Sequence, residues 1–375
     1  MTQLSKGVSS VLNKAVGLIT ANYSAKHRTA VSEVRPIASL PYMGRYRVMD
    51  FALSNMVNCG LRTVGFIMPD NYRSLVDHID SGKDWMLGRK NGGLFILPGS
   101  SFGTTRTGYR FLLRDLLQNK AFLRRNSQPY VILSTANMVY NMDYAKLVEA
   151  HEASGADITL ATFHAVENDD DVVRIELKDG KVADIHQGVT YGDTAFLDCM
   201  IMGRQWLMDV LDVYASVDHL GLLEAMKQEF DRIDIRTYDF DGYVAPVFST
   251  ESYFHRNMDL LDPTVSSELF PADRPILTKD HDTPPAKYER GCYVRNSIVS
   301  AGCHICGAVS NSILSRNVVV EPGATITNSI IMQACTVHSG ARIENAIIDR
   351  NNDIPAGTEL RGTPEAVLVK EKGRS

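Results

Sequence analysis

The apolar positions of this chain follow two different rhythms. Through the N-terminal two thirds, short aliphatic runs alternate with helical patterns, which predicts strands over 15–20, 64–68, 130–134 and 157–163. Helical spacing predicts helices over 50–59, 71–80, 110–119 and 144–153. Strands separated by helices make an α/β domain with a mostly parallel sheet. One hairpin stands out, with Asp179-Gly180 between the alternating runs 172–178 and 181–185, because Asp-Gly suits the positive φ of a two-residue turn.

The second rhythm lies at the C-terminal end. Asn296-Ser297-Ile298-Val299 recurs as Asn311-Ser312-Ile313-Leu314, Asn328-Ser329-Ile330-Ile331 and Asn345-Ala346-Ile347-Ile348, at offsets of 15, 17 and 17. Three aliphatic columns share the step: Cys303, Val320, Val337 and Ile354; Val309, Ile326, Ile343 and Leu360; Leu314, Ile331 and Ile348. Three short strands per turn, each filling one inward edge, make a parallel β-helix, expected as four coils over 291–362. Asn and Gly at the corners tolerate the left-handed backbone that a tight corner needs. The roughly six-residue spacing of the columns resembles the hexapeptide repeat, and that resemblance implies a left-handed helix. The segment Asp280-His281-Asp282-Thr283-Pro284-Pro285 reads as a loop, so the expected domains are 1–280 and 281–375.

Composition narrows the function classes. The chain has 375 residues, 44% apolar and 22% charged, with a net charge of -5 and a mean hydropathy of -0.12. That balance suits two buried cores and argues against a dominant electrostatic grip on nucleic acid, though a small basic patch is compatible with it. No apolar run approaches a membrane span and the start lacks a signal-peptide pattern, so the expected location is the cytoplasm, with neither membrane nor nucleic acid as partner. Six scattered cysteines suit reduced thiols. Cys303-His304-Ile305-Cys306 is a tempting zinc pair, with Cys292, Cys335 and His338 as the nearby candidates. Cys303 falls on a repeat position where a small buried thiol is expected, so no metal site is assigned.

The stretch from Pro41 to Asn55, Pro-Tyr-Met-Gly-Arg-Tyr-Arg-Val-Met-Asp-Phe-Ala-Leu-Ser-Asn, resembles a segment of glucose-1-phosphate adenylyltransferases (ADP-glucose pyrophosphorylases). There the family reads Phe-Gly-Gly-Lys-Phe-Arg-Ile-Ile-Asp-Phe-Ala-Leu-Ser-Asn. The likeness continues through Val57 to Arg62, through Tyr140-Asn141-Met142-Asp143-Tyr144 and through Tyr253 to Leu261. The resemblance implies a nucleotidyltransferase domain, Rossmann-like, followed by a left-handed β-helix. It also implies a role in making ADP-glucose and pyrophosphate from ATP and glucose 1-phosphate, with Mg²⁺.

Departures from the family bear directly on that chemistry, which depends on cradling phosphates and neutralising their charge. Where the family has Gly-Gly-x-Gly-x-Arg-Leu, this chain has Ala21-Asn22-Tyr23-Ser24-Ala25-Lys26-His27-Arg28, without a glycine. Matching on Tyr140 to Tyr144 places Asn137 at the first metal carboxylate, and an amide carries no charge to neutralise Mg²⁺. Counting back from Tyr253 and Asn257 places Pro246 at the second, and proline cannot ligate a metal. The sugar-phosphate lysine falls on Gln187. Arg35, before Pro36, falls at the family's Lys-Pro, with two extra residues before Pro41.

This pattern resembles a regulatory, GlgD-type subunit, which implies partnership with a catalytic paralogue in mixed tetramers and homo-oligomers when alone. No catalytic residue is expected intact; Ala21, Asn22 and Arg35 are the remnant of the nucleotide pocket. Lys26, His27, Arg28 and Arg45 are candidates for a regulatory anion site, with a phosphorylated effector as its ligand. Two other readings stay open at this point. One is a self-sufficient adenylyltransferase using Asp70 or Asp143. The other is a hexapeptide acyltransferase using His304 or His338 as base.

Overall fold

The computed structural model describes residues 14–22, 31–32, 35–100, 110–217 and 219–373. They form two compact units, neither continuous in sequence. Of these, the first comprises 14–22, 49–100, 110–217, 219–245 and 270–277, and the second 31–32, 35–48, 246–269 and 278–373.

The first unit is built on a nine-stranded sheet. Its strands are β1 (Ala15–Thr20), β2 (Thr63–Met68), β3 (Gly93–Pro98), β4 (Tyr130–Thr135), β5 (Ile158–His164), β6 (Asp169–Lys178), β7 (Lys181–Val189), β8 (Thr194–Gly203) and β9 (Ile235–Asp239). Their order is β7-β6-β8-β4-β1-β2-β3, with β5 pairing β8 and β9. β1 runs parallel to β2 and β4, and β2 parallel to β3. All six residues of β1 and all six of β2 are buried, as central parallel strands covered on both faces must be. The helices between these strands include α1 (Val48–Asn58), α2 (Arg73–Ile79), α3 (Leu113–Gln118), α4 (Lys120–Arg125) and α5 (Tyr144–Ser154).

The expected strands and helices recur within a few residues. The helix expected over 110–119 starts only at Leu113, because Arg110 turns inward into a buried ion pair instead of opening a turn. β6 and β7 form the predicted hairpin, with Asp179 and Gly180 at φ 52° and 75°.

In the second unit, fifteen short strands stack as three parallel five-stranded sheets, the faces of a left-handed β-helix. There are five coils where the repeats suggest four. Lys287–Tyr288 opens the first and Leu368–Lys370 closes the last, and both lie outside the Asn-Ser-Ile pattern. The register also corrects one column. Ile305, not Cys303, lies opposite Val320, and both then continue through Val337 to Ile354. The first full step is 15 residues rather than 17, which shifts that face by two positions; Cys303 remains buried and its thiol donates to the Ser315 carbonyl at 3.1 Å. The corners at Asn296, Asn311, Asn328 and Asn345 all have φ between 42° and 46°, the conformation that asparagine tolerates.

Segments 35–48 and 246–269 precede the repeats in the chain yet pack with them in this unit. The helix Thr250–Met258, capped by Ser249, holds the turn after Pro41 in place. Its Tyr253 hydroxyl donates to the Pro41 carbonyl at 2.6 Å, and Asn257 Oδ1 accepts from the Met43 N–H at 2.9 Å.

Candidate functional site

In an open parallel sheet the chain leaves the C-terminal ends of the strands in loops that form a crevice. Here the ends of β1, β2 and β4 bring Ala21, Asn22 and Asn137 to one edge. The Ala21 N–H donates to the Ile67 carbonyl and the Ala136 N–H to the Thr20 carbonyl, each at 3.0 Å. These two bonds prolong the strand pairing by one residue past the end of each strand.

Asn22 is committed internally. Its Nδ2 donates to Asp115 Oδ2 at 2.7 Å and to the Ser100 carbonyl at 3.4 Å. Asp115 Oδ1 also accepts from the Ser100 N–H at 2.7 Å. Burial raises the Asp115 pKa, while the Ser100 and Asn22 hydrogen bonds pull it back. A Cβ on Gly99 would lie 2.2 Å from the Met68 carbonyl oxygen and 2.8 Å from Asn22 Nδ2, so Gly99 packs beside Asn22 with no room for a side chain.

Asn137 is fully buried, and neither its amide oxygen nor its nitrogen has a hydrogen-bond partner. A neutral amide offers one weak oxygen where Mg²⁺ wants charged ones. Pro246, in the short buried strand Ala245–Pro246, offers no side-chain donor at all. Among the described residues no group of three or more His, Cys, Asp or Glu side chains is arranged to hold a metal. Neither of the two positions expected to match the metal carboxylates carries a charged oxygen for Mg²⁺.

The other expected positions each have their own surroundings. Gln187 lies exposed on the hairpin strand β7 and donates from Nε2 to the Asp170 carbonyl at 2.7 Å. Arg35 belongs to the second unit, where its guanidinium pairs with Asp349. Lys26, His27 and Arg28 lie outside the described residues. Arg45 lines a cavity of about 420 Å³ within the second unit, together with Lys279, His281, Arg316, Asp280 and Ser300. Gly44, at φ +69°, seats the turn there, since a Cβ would fall 2.5 Å from Ser300 Oγ.

Of the alternative acids, Asp143 caps α5, its carboxylate accepting from the Ala145 N–H at 2.9 Å. His304 Nε2 lies 2.9 Å from Glu289 Oε1, and His338 sits between Glu321 and Asp353.

Sequence reasoning missed Arg110 and Asp198. Arg110 Nε lies 2.5 Å from Asp198 Oδ2, with the side chains 7% and 0% exposed. The Arg110 guanidinium also donates to the Asp171 carbonyl, and Thr135 Oγ1 donates to the same Asp198 oxygen at 3.4 Å. Desolvation pushes the Asp198 pKa up to about 6 against the pull of Arg110. Asp198 sits at φ 52° where β8 shifts register between Phe196 and Met200, and a bulge of that kind has no signature in a hydrophobic pattern.

Fold and strand-end crevice together define a nucleotidyltransferase-type unit combined with a hexapeptide β-helix. Residues 30–172 match the nucleotidyl transferase family, and residues 284–366 match the family described as GlmU-like, C-terminal hexapeptide. The chain is 33% identical over 371 residues to the glycogen biosynthesis protein GlgD of Bacillus subtilis (strain 168), covering 96% of each protein. It is 33% identical over 364 residues to GlgD of Geobacillus stearothermophilus, covering 96% of this chain and 97% of the relative. A glucose-1-phosphate adenylyltransferase of Halalkalibacterium halodurans is 29% identical over 368 residues, 95% of this chain and 96% of its own length. The chain belongs to the GlgD family of nucleotidyl transferase relatives.

Proposed function

We propose that this chain acts in glycogen biosynthesis as a regulatory, catalytically degenerate subunit of ADP-glucose pyrophosphorylase. A catalytic paralogue would carry the transfer of AMP from ATP to glucose 1-phosphate, with the two in a cytoplasmic heterotetramer and this chain forming homo-oligomers when alone. The names of the relatives support a role in glycogen synthesis. No helix among the described residues is long and apolar enough to cross a membrane.

One observation carries the degeneracy: Asn22 and Asn137, at the strand ends where phosphate and metal would sit, are a side chain tied to Asp115 and a buried neutral amide. Neither stabilises charge on a transferring phosphoryl group, and such electrostatic stabilisation is the main resource of this chemistry. The basic cavity at Arg45, Lys279, His281 and Arg316 supports a phosphorylated effector as a second ligand.

Pyrophosphate release from ATP and glucose 1-phosphate, measured for the purified chain, for the paralogue and for both co-purified, tests the reading. The chain alone is expected to be near silent, and the mixture faster than the paralogue. Robust turnover by the chain alone would overturn degeneracy. An unchanged rate in a proven complex would overturn the regulatory role.

A further inference from the structure

A second cavity in the first unit, of about 390 Å³, lies at the N-terminal ends of β2, β3 and β4, opposite the strand ends that hold Asn22 and Asn137. Its size is within the range of small-molecule sites. Its lining combines an aromatic floor with a rim of amides. Phe95, 37% exposed, meets Phe122 edge-on at 5.4 Å between ring centroids. Asn119, Asn126, Gln128 and Arg125 complete the features that matter here.

The hydrogen-bond inventory defines the ligand. Asn119 spends its Nδ2 on the Pro98 and Asp115 carbonyls, both at 2.8 Å, and Asn126 spends its own on the Phe122 carbonyl at 2.7 Å. Each keeps an amide oxygen available. Gln128 Oε1 is buried and has no partner. Two available amide acceptors, on Asn119 and Asn126, thus line the cavity beside one cationic donor group, the Arg125 guanidinium. A ligand that satisfies them brings several donors and at least one acceptor on a compact body with an apolar face.

We infer that this cavity binds a neutral polyhydroxylated ligand, a sugar ring or the end of a short oligosaccharide. Its hydroxyls donate to the Asn119 and Asn126 oxygens, one of its oxygens accepts from Arg125, and its C–H face lies on Phe95. An anion fits poorly, because the cavity faces the last turn of α4, whose carbonyl ends carry partial negative charge, and only one cation lines it. A flat base fits poorly too, since the two phenyl rings meet at 61° and leave no parallel slot.

Isothermal titration of the full chain with maltotriose, glucose and inorganic phosphate tests this, for the wild type and for Phe95→Ala and Arg125→Ala. Both substitutions are at exposed side chains, and circular dichroism checks that the variants fold. Saturable maltotriose binding is expected, weakened roughly tenfold by either variant, with phosphate unable to compete. Absence of saturable sugar binding, binding unchanged in both variants, or phosphate binding that Arg125→Ala abolishes would each overturn the assignment. None of these outcomes depends on whether the chain transfers AMP.

Discussion

Arg35 Nη2 lies 2.8 Å from Asp349 Oδ1, with the two side chains only 4% and 5% exposed, and the same nitrogen is 3.1 Å from Met332 Sδ. The pair ties the segment 35–48 to the fourth coil of the solenoid across 314 positions of sequence. A cation that the family resemblance assigns to chemistry is here used to join chain segments. Removing one partner strands the other: Arg35→Ala should cost about 3–5 kcal/mol, because a buried carboxylate is left unpaired. Arg35→Met combined with Asp349→Leu should recover most of that loss. Urea unfolding midpoints of the three variants check this, and a double variant no better than Arg35→Ala would show that packing, not charge, was lost.

Ile343 tests the solenoid register. It lies between Ile326 and Leu360 in one inward column and is 1% exposed, while its neighbours Arg342 and Glu344 face outward. Ile343→Val should cost about 0.5–1.5 kcal/mol, the usual loss for one methyl group in a packed core. Ile343→Asp should unfold the repeat region, since no cation is within the column to pair with the carboxylate. Circular dichroism and limited proteolysis of the two variants distinguish a filled column from an exposed one.

His338 makes the repeat region sensitive to pH. Its Nε2 lies 2.8 Å from Asp353 Oδ1 and its Nδ1 3.0 Å from Glu321 Oε1, so the ring satisfies both carboxylates only as the imidazolium. Asp353 and then Glu321 raise its pKa above the ordinary 6.5. A folded-state pKa above the unfolded value means that the stabilisation is fully present below about pH 6.5 and is lost as pH rises through the folded value. The thermal midpoint of the wild type should exceed that of His338→Gln by most on the acid side of neutrality, and the gap should close at alkaline pH. A gap that widens with pH would reverse the assignment.

The repeat region was legible because its signal is periodic. Ile326, Ile343 and Leu360 occupy equivalent places in successive coils, and one inward column can be read without knowing the others. Leu360, on the last coil, is only half-buried, because a terminal coil has one neighbour instead of two. The opening and closing strands escaped for the same reason: Tyr288 and Leu368 stand at the ends, where no repeat enforces the pattern. In the first unit, central strands such as β1 and β2 were legible as unbroken apolar runs. The site was legible only as a set of positions. That Asn22 would reach Asp115, 93 residues on, or that Arg110 would close on Asp198 depends on loop paths and a bulge that local spacing does not encode.

Asn137 offers the sharpest test of the proposed loss of metal chemistry, because its amide is fully buried and unpartnered. Asn137→Asp changes one atom and introduces a charge with no ion-pair partner. The carboxylate's pKa should rise by desolvation, so the folded state holds a proton that the unfolded state has released. Stability should therefore fall at neutral pH by about 1–3 kcal/mol or more, and approach the wild type as pH drops toward the ordinary carboxylate range near 4. Millimolar Mg²⁺ should not rescue it, since one carboxylate without a second charged ligand holds a hard cation weakly. Thermal unfolding of the variant across pH, with and without Mg²⁺, separates the outcomes. A rise in the variant's midpoint on adding Mg²⁺, absent from the wild type, would show that the phosphate and metal pocket survives and that only the charge was lost.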